Sequence, residues 1–555
     1  MRKSLLLAMT ASGIFAASTP NAGNILQEMG TPHTPQTKKS IPSFKEKKQI
    51  PSSIEKSSIK IMVTKFVITG NTVFSTEVLH ALVAKYEGKK LTFEEIEAAT
   101  NSITEYYRKN RYFVAHAYVP AQEVDNGVIT IKVQEGKYGM INIENSSHVK
   151  DSVLQAYAQK MKEKDVISLD DIDTEMLLIN DLGGARIVSA SVFASKKEGT
   201  SDFNIVVQPT QQVQAYAMAD NYGSIYTGEY RLGAGVYVNS VSGRGDILNI
   251  STLHSISGGI RNGQISYSTP LGSSGVKANI FGSITTYKIQ GNEYASLEAY
   301  GQAGVIGGEL TYPLVRTQKH SLYLQAGVKT THMFDHLNSE WSNKHVDDYT
   351  FSIHDIKEST LFNKSANRDV FFQVTRGNVV LDNDTAIIND ALLNSKGYFT
   401  KYELSLNETL SLTQTAFLKF RMNAQQSDHK NLDSSEEISV GGVNGVRAYG
   451  SSELSGDRGI LISVEADGRL PDILGAHHQA GIFYDGAKVW QNSVQYSSLS
   501  NDDRQLSAVG LNYTLSYKLL NLKASYAHGF GVNQDAQTNP TYNNNRFYIQ
   551  LLAQF

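Results

Sequence analysis

Cysteine is absent from this 555-residue chain. That excludes thiol nucleophiles, disulfide staples and cysteine-based zinc centres. It also suits a protein that crosses an oxidising compartment with no thiols to mispair. Tryptophan (2) and proline (11) are scarce. No segment approaches the roughly 20 apolar residues of a transmembrane helix. Net charge is −3 at pH 7, so there is no global basic field of the kind that attracts nucleic acid. Gly441-Gly442-Val443-Asn444-Gly445 is followed by no Lys-Ser/Thr and by no expected helix, so it is not a phosphate loop. No set of residues converges on a catalytic chemistry, and neither an enzyme nor a cofactor is expected.

What the chain does have is glycine (44) and tyrosine (29), which suit the tight turns and interfacial girdles of a β-rich membrane protein. Met1-Arg2-Lys3 and the apolar run Ser4–Phe15 read as a signal peptide over 1–20, cleaved near Ser18–Ala22 and too short to span a bilayer. A secreted precursor without a helical span can still be integral to a membrane if it is a barrel. The end of the chain supports that. Phe547, Ile549, Leu551, Ala553 and Phe555 share one face of a strand; Tyr548, Gln550 and Gln554 share the other, with Leu552 the apolar exception. A barrel needs such a strand, because its last strand must pair with its first and turn an apolar row to lipid.

The length implies several domains. Asn24–Met29 has room for a short helix, and residues 30 to 56, rich in Pro, Lys, Ser and Thr, read as a solvated linker, so 21–56 is a helix plus tether. From 57 to 136 the order is β-α-α-β-β: a strand at Lys65–Thr69, helical spacing over Ser75–Tyr86, and a capping box at Thr92-Phe93-Glu94-Glu95 opening a second helix. Strands at Ala115–Val119 and Gly127–Val133 close the unit. The order recurs over 137–213, with a helix at Val153–Met161, a helix start at Ser168-Leu169-Asp170-Asp171 and a glycine stop at Gly183-Gly184. Two copies of one unit predict two tandem domains.

After 214 the helical signal gives way to alternation. Leu418, Phe420, Met422 and Ala424 alternate with Lys419, Arg421 and Asn423; Ile460, Ile462, Val464 and Ala466 alternate with Leu461, Ser463, Glu465 and Asp467. Full charges in the non-apolar rows are expected of a wet lumen. A sandwich with one solvated face gives the same local pattern; the leader, the length of the alternating region and the terminal Phe555 favour a barrel over 214–555.

These features resemble the outer-membrane transporters of two-partner secretion, the TpsB or haemolysin secretion/activation family. Phe66-Val67-Ile68-Thr69-Gly70-Asn71-Thr72-Val73-Phe74, then Ala115-His116-Ala117-Tyr118-Val119-Pro120-Ala121-Gln122, resemble the family's first POTRA (polypeptide-transport-associated) domain. Ile179-Asn180-Asp181-Leu182-Gly183-Gly184 is similar to a Leu-Asn-Asp-Leu-Pro-Gly segment of the second. Gly441–Tyr449, with Val446-Arg447-Ala448-Tyr449 at its end, resembles the Val-Arg-Gly-Tyr tip of a long loop folded back into the barrel near 440–460; Ala448 departs from the glycine. Phe483-Tyr484-Asp485-Gly486-Ala487 resembles a Phe-x-Asp-x-Gly strand that holds the loop arginine, with Ala487 a second departure.

The resemblance implies a 16-stranded antiparallel membrane β-barrel with two α+β periplasmic POTRA domains in the Gram-negative outer membrane. It implies export of a large TpsA-type exoprotein through the barrel, with Tyr118, Pro120 and Gln122 on the client-binding side of the first POTRA. Phe547, Ile549, Leu551 and Phe555 would be the signal read by the barrel assembly machinery, with outer-membrane lipid and periplasmic chaperones as further partners and no nucleic acid. The alternatives are an outer-membrane assembly factor, which usually carries more than two POTRA repeats, and a solute channel. On physical grounds alone, a lumenal guanidinium needs water or a carboxylate, and a bidentate pair between Arg447 and Asp485 would pin the loop with direction as well as energy. His477-His478 alternate faces on any strand and read as loop histidines rather than metal ligands; Asp170-Asp171 and Asp502-Asp503 read as helix-start and loop carboxylates.

Overall fold

A computed structural model describes residues 20–29, 45–46, 59–291, 297–391, 393–451, 454–494, 503–530 and 544–555; the signal peptide, but for Pro20, and Asp502 lie outside them. Helix α1 (Ala22–Met29) and a two-residue strand β1 (Lys45–Glu46) precede the first domain. That domain contains β2 (Lys60–Val63), β3 (Lys65–Thr69), α2 (Thr76–Val83), β4 (Lys89–Thr92), α3 (Phe93–Lys109), β5 (His116–Tyr118) and β6 (Val128–Gln134). The capping box forms: the Thr92 N–H donates to Glu95 at 2.8 Å and the Glu95 N–H donates to the Thr92 hydroxyl at 3.3 Å. The faces of α2 and α3 that carry Leu79, Ile96 and Ile103 bury against Phe66, Ile129 and Ile131 of the sheet β3-β6-β5. The pairing of β2 with β4 is an addition to the expected β-α-α-β-β order.

Beneath that core, the buried Glu135 carboxylate accepts from the N–H groups of Thr72 and Val73, the Thr72 hydroxyl and the Tyr107 hydroxyl. Burial alone would raise its pKa; the donors outweigh it and hold the pKa below the ordinary 4.5. A lowered folded pKa means this stabilisation is present above pH 4.5 and is lost as pH falls below it. Glu135→Gln is therefore expected to cost about 1–3 kcal/mol at neutral pH. The gap to the parent should close as pH falls below 4.5, read from the urea midpoint of the helical circular-dichroism signal.

The second domain repeats the order as β7 (Lys137–Asn145), α4 (Asp151–Lys162), α5 (Leu169–Asn180), β8 (Ala185–Ala194) and β9 (Thr200–Pro209). Ser168 caps α5 by accepting from the Asp171 N–H, as the sequence suggests. Its own core is built on Leu154, Ile172, Met176, Phe203 and Ile205. Of the 30–56 linker only Lys45–Glu46 fall among the described residues, and there β1 pairs in parallel with Ser191 and Val192 of β8, extending the sheet to β1-β8-β9-β7.

Sixteen strands then close a barrel. They are β10 (Val213–Asp220), β11 (Arg231–Asn239), β12 (Ile247–Ser255), β13 (Ile260–Pro270), β14 (Lys277–Lys288), β15 (Tyr300–Arg316), β16 (His320–Leu337), β17 (Glu340–Leu361), β18 (Lys364–Leu381), and, after the short helix α6 (Asp384–Asp390), β19 (Gly397–Ser411) and β20 (Ala416–Ser427). Two short strands inside a long loop follow, β21 (Ile438–Ser439) and β22 (Ser455–Gly456). The barrel resumes with β23 (Arg458–Ile473), β24 (Ala476–Trp490), β25 (Asp503–Tyr517), β26 (Leu520–Phe530) and β27 (Asn545–Gln554). Each strand is antiparallel to its neighbours, and β10 closes on β27 through five residue pairs, Tyr216↔Gln554 to Asp220↔Gln550. Phe547, Ile549, Leu551 and Phe555 are exposed on the outer face while Tyr548 is buried inside, so the alternation of the last strand is as expected. His477 and His478 lie within β24 rather than in a loop; His477 meets Asp472 at 2.9 Å and His478 meets the Tyr513 hydroxyl. Asp503 opens β25 and pairs with Lys488 at 2.8 Å.

The two arm domains are joined to each other and to the near end of the barrel by polar contacts. Arg111 of the first receives the Leu169 N–H on its carbonyl and pairs with Asp173 at 2.7 Å. Asp181 of the second takes both Nε and Nη2 of Arg316 at 2.8 and 2.9 Å.

Candidate functional site

The described residues of the loop from 428 to 457 fold into the lumen, and the tip carries Val446-Arg447-Ala448-Tyr449. A tight turn forms the tip: Gly445 N–H donates to the Gly442 carbonyl, Val446 N–H to Val440 and Tyr449 N–H to Val446. The motif is buried throughout. Arg447 reaches a socket on β23 and β24. Its Nε and Nη2 take the two oxygens of Asp485 at 2.8 and 2.7 Å, and its backbone N–H adds a third contact at 3.1 Å. Nη1 meets Glu465 at 2.7 Å. The guanidinium lies 3.3 Å from the centre of the Phe483 ring, a cation–π contact in a desolvated site. Asp485 is 0% exposed. Its register partner across the ladder is Ser463, whose hydroxyl donates to Asp485 at 2.7 Å and accepts from Arg447 at 3.2 Å. Two carboxylates, a hydroxyl and a ring thus enclose one guanidinium, and its planar fork matches them as a lysine would not.

Ala448 does not take a positive φ, so the side chain there is unstrained. Room for it comes from β26, two strands along the wall from β24: a Cβ on Gly529 would lie 3.1 Å from that of Ala448. Ala487 packs in the same apolar cluster as Val446 and Tyr449. The Tyr449 carbonyl accepts from the Tyr548 hydroxyl at 2.8 Å, which links the loop tip to the last strand.

The descending half of the loop is held by charges that the alternation pattern places inward but does not connect. Glu436 meets Lys401 at 3.0 Å and Lys329 at 3.4 Å; Asp433 meets Lys344 at 2.5 Å. Asp457, at the loop's return, accepts from the N–H groups of Leu432 and Ser493. Helix α1 lies inside the barrel against this loop. Ala22 and Ile25 are fully buried in an apolar patch with Ile260, Met333, Val346 and Phe399. Asn21 caps the helix, accepting from the N–H groups of Gly23 and Asn24. The Ala22 N–H donates to Asp335 at 2.8 Å, a carboxylate at the positive end of the helix. Gln27 donates to the Ser434 carbonyl at 2.9 Å, and the Ser434 hydroxyl bonds Asn21 at 2.7 Å.

Tyr118, Pro120 and Gln122 do not converge with this site; they lie at the β5 edge of the first arm domain. Gln122 turns back on its own sheet, bonding the Thr130 carbonyl and N–H at 2.9 and 2.8 Å.

The profile of the family described as haemolysin secretion/activation protein ShlB/FhaC/HecB matches residues 199–512. This chain belongs to that family. A second profile, POTRA domain of ShlB type, matches residues 61–136. The heme/hemopexin transporter protein HuxB of Haemophilus influenzae is 26% identical over 452 residues, covering 80% of this chain and 78% of that protein. The outer membrane transporter CdiB of Escherichia coli is 27% identical over 184 residues, 33% of this chain and 31% of that protein. Among solved structures, CdiB from Escherichia coli superposes with a TM-score of 0.74 over 91% of this chain and 93% of that one at 18% identity. BamA from Haemophilus ducreyi superposes at 0.52 over 89% and 100%, at 13% identity. The chain is a two-partner secretion transporter: an outer-membrane β-barrel with POTRA domains in the periplasm, passing a secreted partner protein.

Proposed function

We propose that this chain exports one large unfolded exoprotein by capturing it on the sheet edges of the POTRA domains and passing it through the lumen once helix α1 and the Arg447 loop move aside. The observation that carries the reading is the lumen itself: a closed cylinder occupied by two elements of the same chain, both held by separable contacts. Folding of the client outside supplies direction, since its burial of apolar surface opposes return. No chemistry of bond making is assigned to the chain. Tyr118, Pro120 and Gln122 flank the β5 edge, where an extended client adds a strand. Phe547, Ile549, Leu551 and Phe555 face lipid and present the row that the assembly machinery reads. The client in this reading is a large secreted exoprotein of the TpsA type.

That β8 already carries an added strand supports capture by strand addition. β1 pairs with Ser191 and Val192 on an edge a client would use, so tether and client compete. Replacing Lys45 and Glu46 by proline removes the donors that β1 offers. Client affinity for the full-length protein in detergent should rise roughly fivefold, the equivalent of about 1 kcal/mol for the lost competitor. Unchanged affinity, measured with the client's amino-terminal fragment, would exclude the β8 edge.

A further inference from the structure

The outer surface of the barrel carries an aromatic and cationic recess that secretion does not use. Lys288, Tyr300, His336 and Trp341 are register partners across four successive strands, β14 to β17. Gln302 and Phe334 form the same row two residues nearer the membrane. The Tyr300 and His336 rings stack at 4.3 Å, and Trp341 stands edge-on to them at 5.6 and 4.9 Å. Trp341, one of the two tryptophans, is still 46% exposed, and Tyr300 and Phe334 are each 38% exposed. Together they line an open recess of about 700 Å³, within the range of small-molecule sites.

These residues share their outward face with Ile280, Ile284, Ile306, Leu310 and Val328, the exposed apolar row that meets lipid. Lys288 stands four residues beyond Ile284 on β14, about 13 Å along the strand, on the side away from the POTRA domains. A girdle tyrosine sits at the edge of the apolar belt, as Tyr349 does beside Val328; this cluster sits above it. In an outer membrane that level is occupied by the phosphorylated sugars of the outer-leaflet glycolipid. Exposed ring faces suit the C–H faces of sugars, Gln302 offers a donor and an acceptor to hydroxyls, and Lys288 offers a point charge to phosphate.

We propose that the Lys288/Tyr300/Trp341 recess binds the phosphorylated saccharide head of an outer-leaflet glycolipid whose acyl chains lie on the apolar row below it. The test is made on the full-length protein in detergent, in a Trp490→Phe background so that Trp341 is the sole tryptophan, excited on the red edge where the 29 tyrosines do not absorb. Lipopolysaccharide truncated to its inner core should shift Trp341 emission saturably. Lys288→Glu and Tyr300→Ala should each weaken the response at least about tenfold, equivalent to 1.4 kcal/mol. Heat-modifiable migration on gels shows separately that each variant is a folded barrel. An equal response to phosphatidylglycerol, equally tight binding of the deacylated oligosaccharide, or folded variants that bind like the parent would each overturn the assignment.

Discussion

Arg447→Ala is expected to leave the barrel inserted in the outer membrane while secretion of the partner exoprotein falls to background. The reason lies in what the side chain leaves behind. Asp485 is fully buried and would keep only the Ser463 hydroxyl and the backbone N–H of residue 447. Glu465 would lose its 2.7 Å contact. Leaving the buried Asp485 carboxylate without its cation costs about 3–5 kcal/mol, enough to free the loop tip from its socket but not to open a sixteen-strand ladder. Arg447→Lys should fail as well, because one ammonium cannot reach both oxygens of Asp485 and also Glu465. Adding Asp485→Asn to Arg447→Ala removes the stranded charge and should recover thermal stability without recovering secretion. Secretion at parental level by folded Arg447→Ala, measured in culture supernatant against barrel levels in the membrane fraction, would remove the loop from the mechanism.

How much of this was legible before the fold was seen differs by element. The terminal alternation from Phe547 to Phe555 was readable because strand period and lipid contact are local properties. Val446–Tyr449 and Asp485 were readable as motifs through the family resemblance, which implied their pairing; guanidinium–carboxylate chemistry says only that such a pair would be strong and directional. Ser463 and Glu465 were readable only as inward-facing residues. That Ser463 stands directly opposite Asp485 depends on the β23–β24 register, which a single sequence does not specify without the turn geometry. Lys329, Lys401 and Glu436 lie far apart in sequence and meet only because two barrel strands, β16 and β19, and a loop converge in the lumen. Strand β1 was hidden in a Lys- and Pro-rich tether, since its pairing comes from a neighbour's open edge and not from its own composition. Ala448 read as a departure from glycine; its accommodation depends on Gly529, 81 residues away on a strand the loop tip touches.

The lumen suggests a second experiment of equally large effect. Helix α1 rests on an apolar patch and on single hydrogen bonds, Asn21 with Ser434, Gln27 with the Ser434 carbonyl and Ala22 with Asp335. Each such bond is worth about 0.5–1.5 kcal/mol net, so an arriving client can displace the helix; a covalent tether is not displaced. Because the chain has no cysteine, an Asn21→Cys/Ser434→Cys pair, oxidised or bridged by a short bifunctional maleimide, introduces one defined link between helix and loop. Oxidised cells should secrete nothing, reductant should restore export, and the maleimide-bridged protein should stay blocked under reductant. Deleting residues 22–29 should do the reverse to the pore: it strips the cover from Ile260, Met333, Val346 and Phe399, and planar-bilayer recordings should show open-channel conductance where the parent is mostly closed. Secretion that continues with the tether demonstrably formed would place the client's path outside the space that α1 fills.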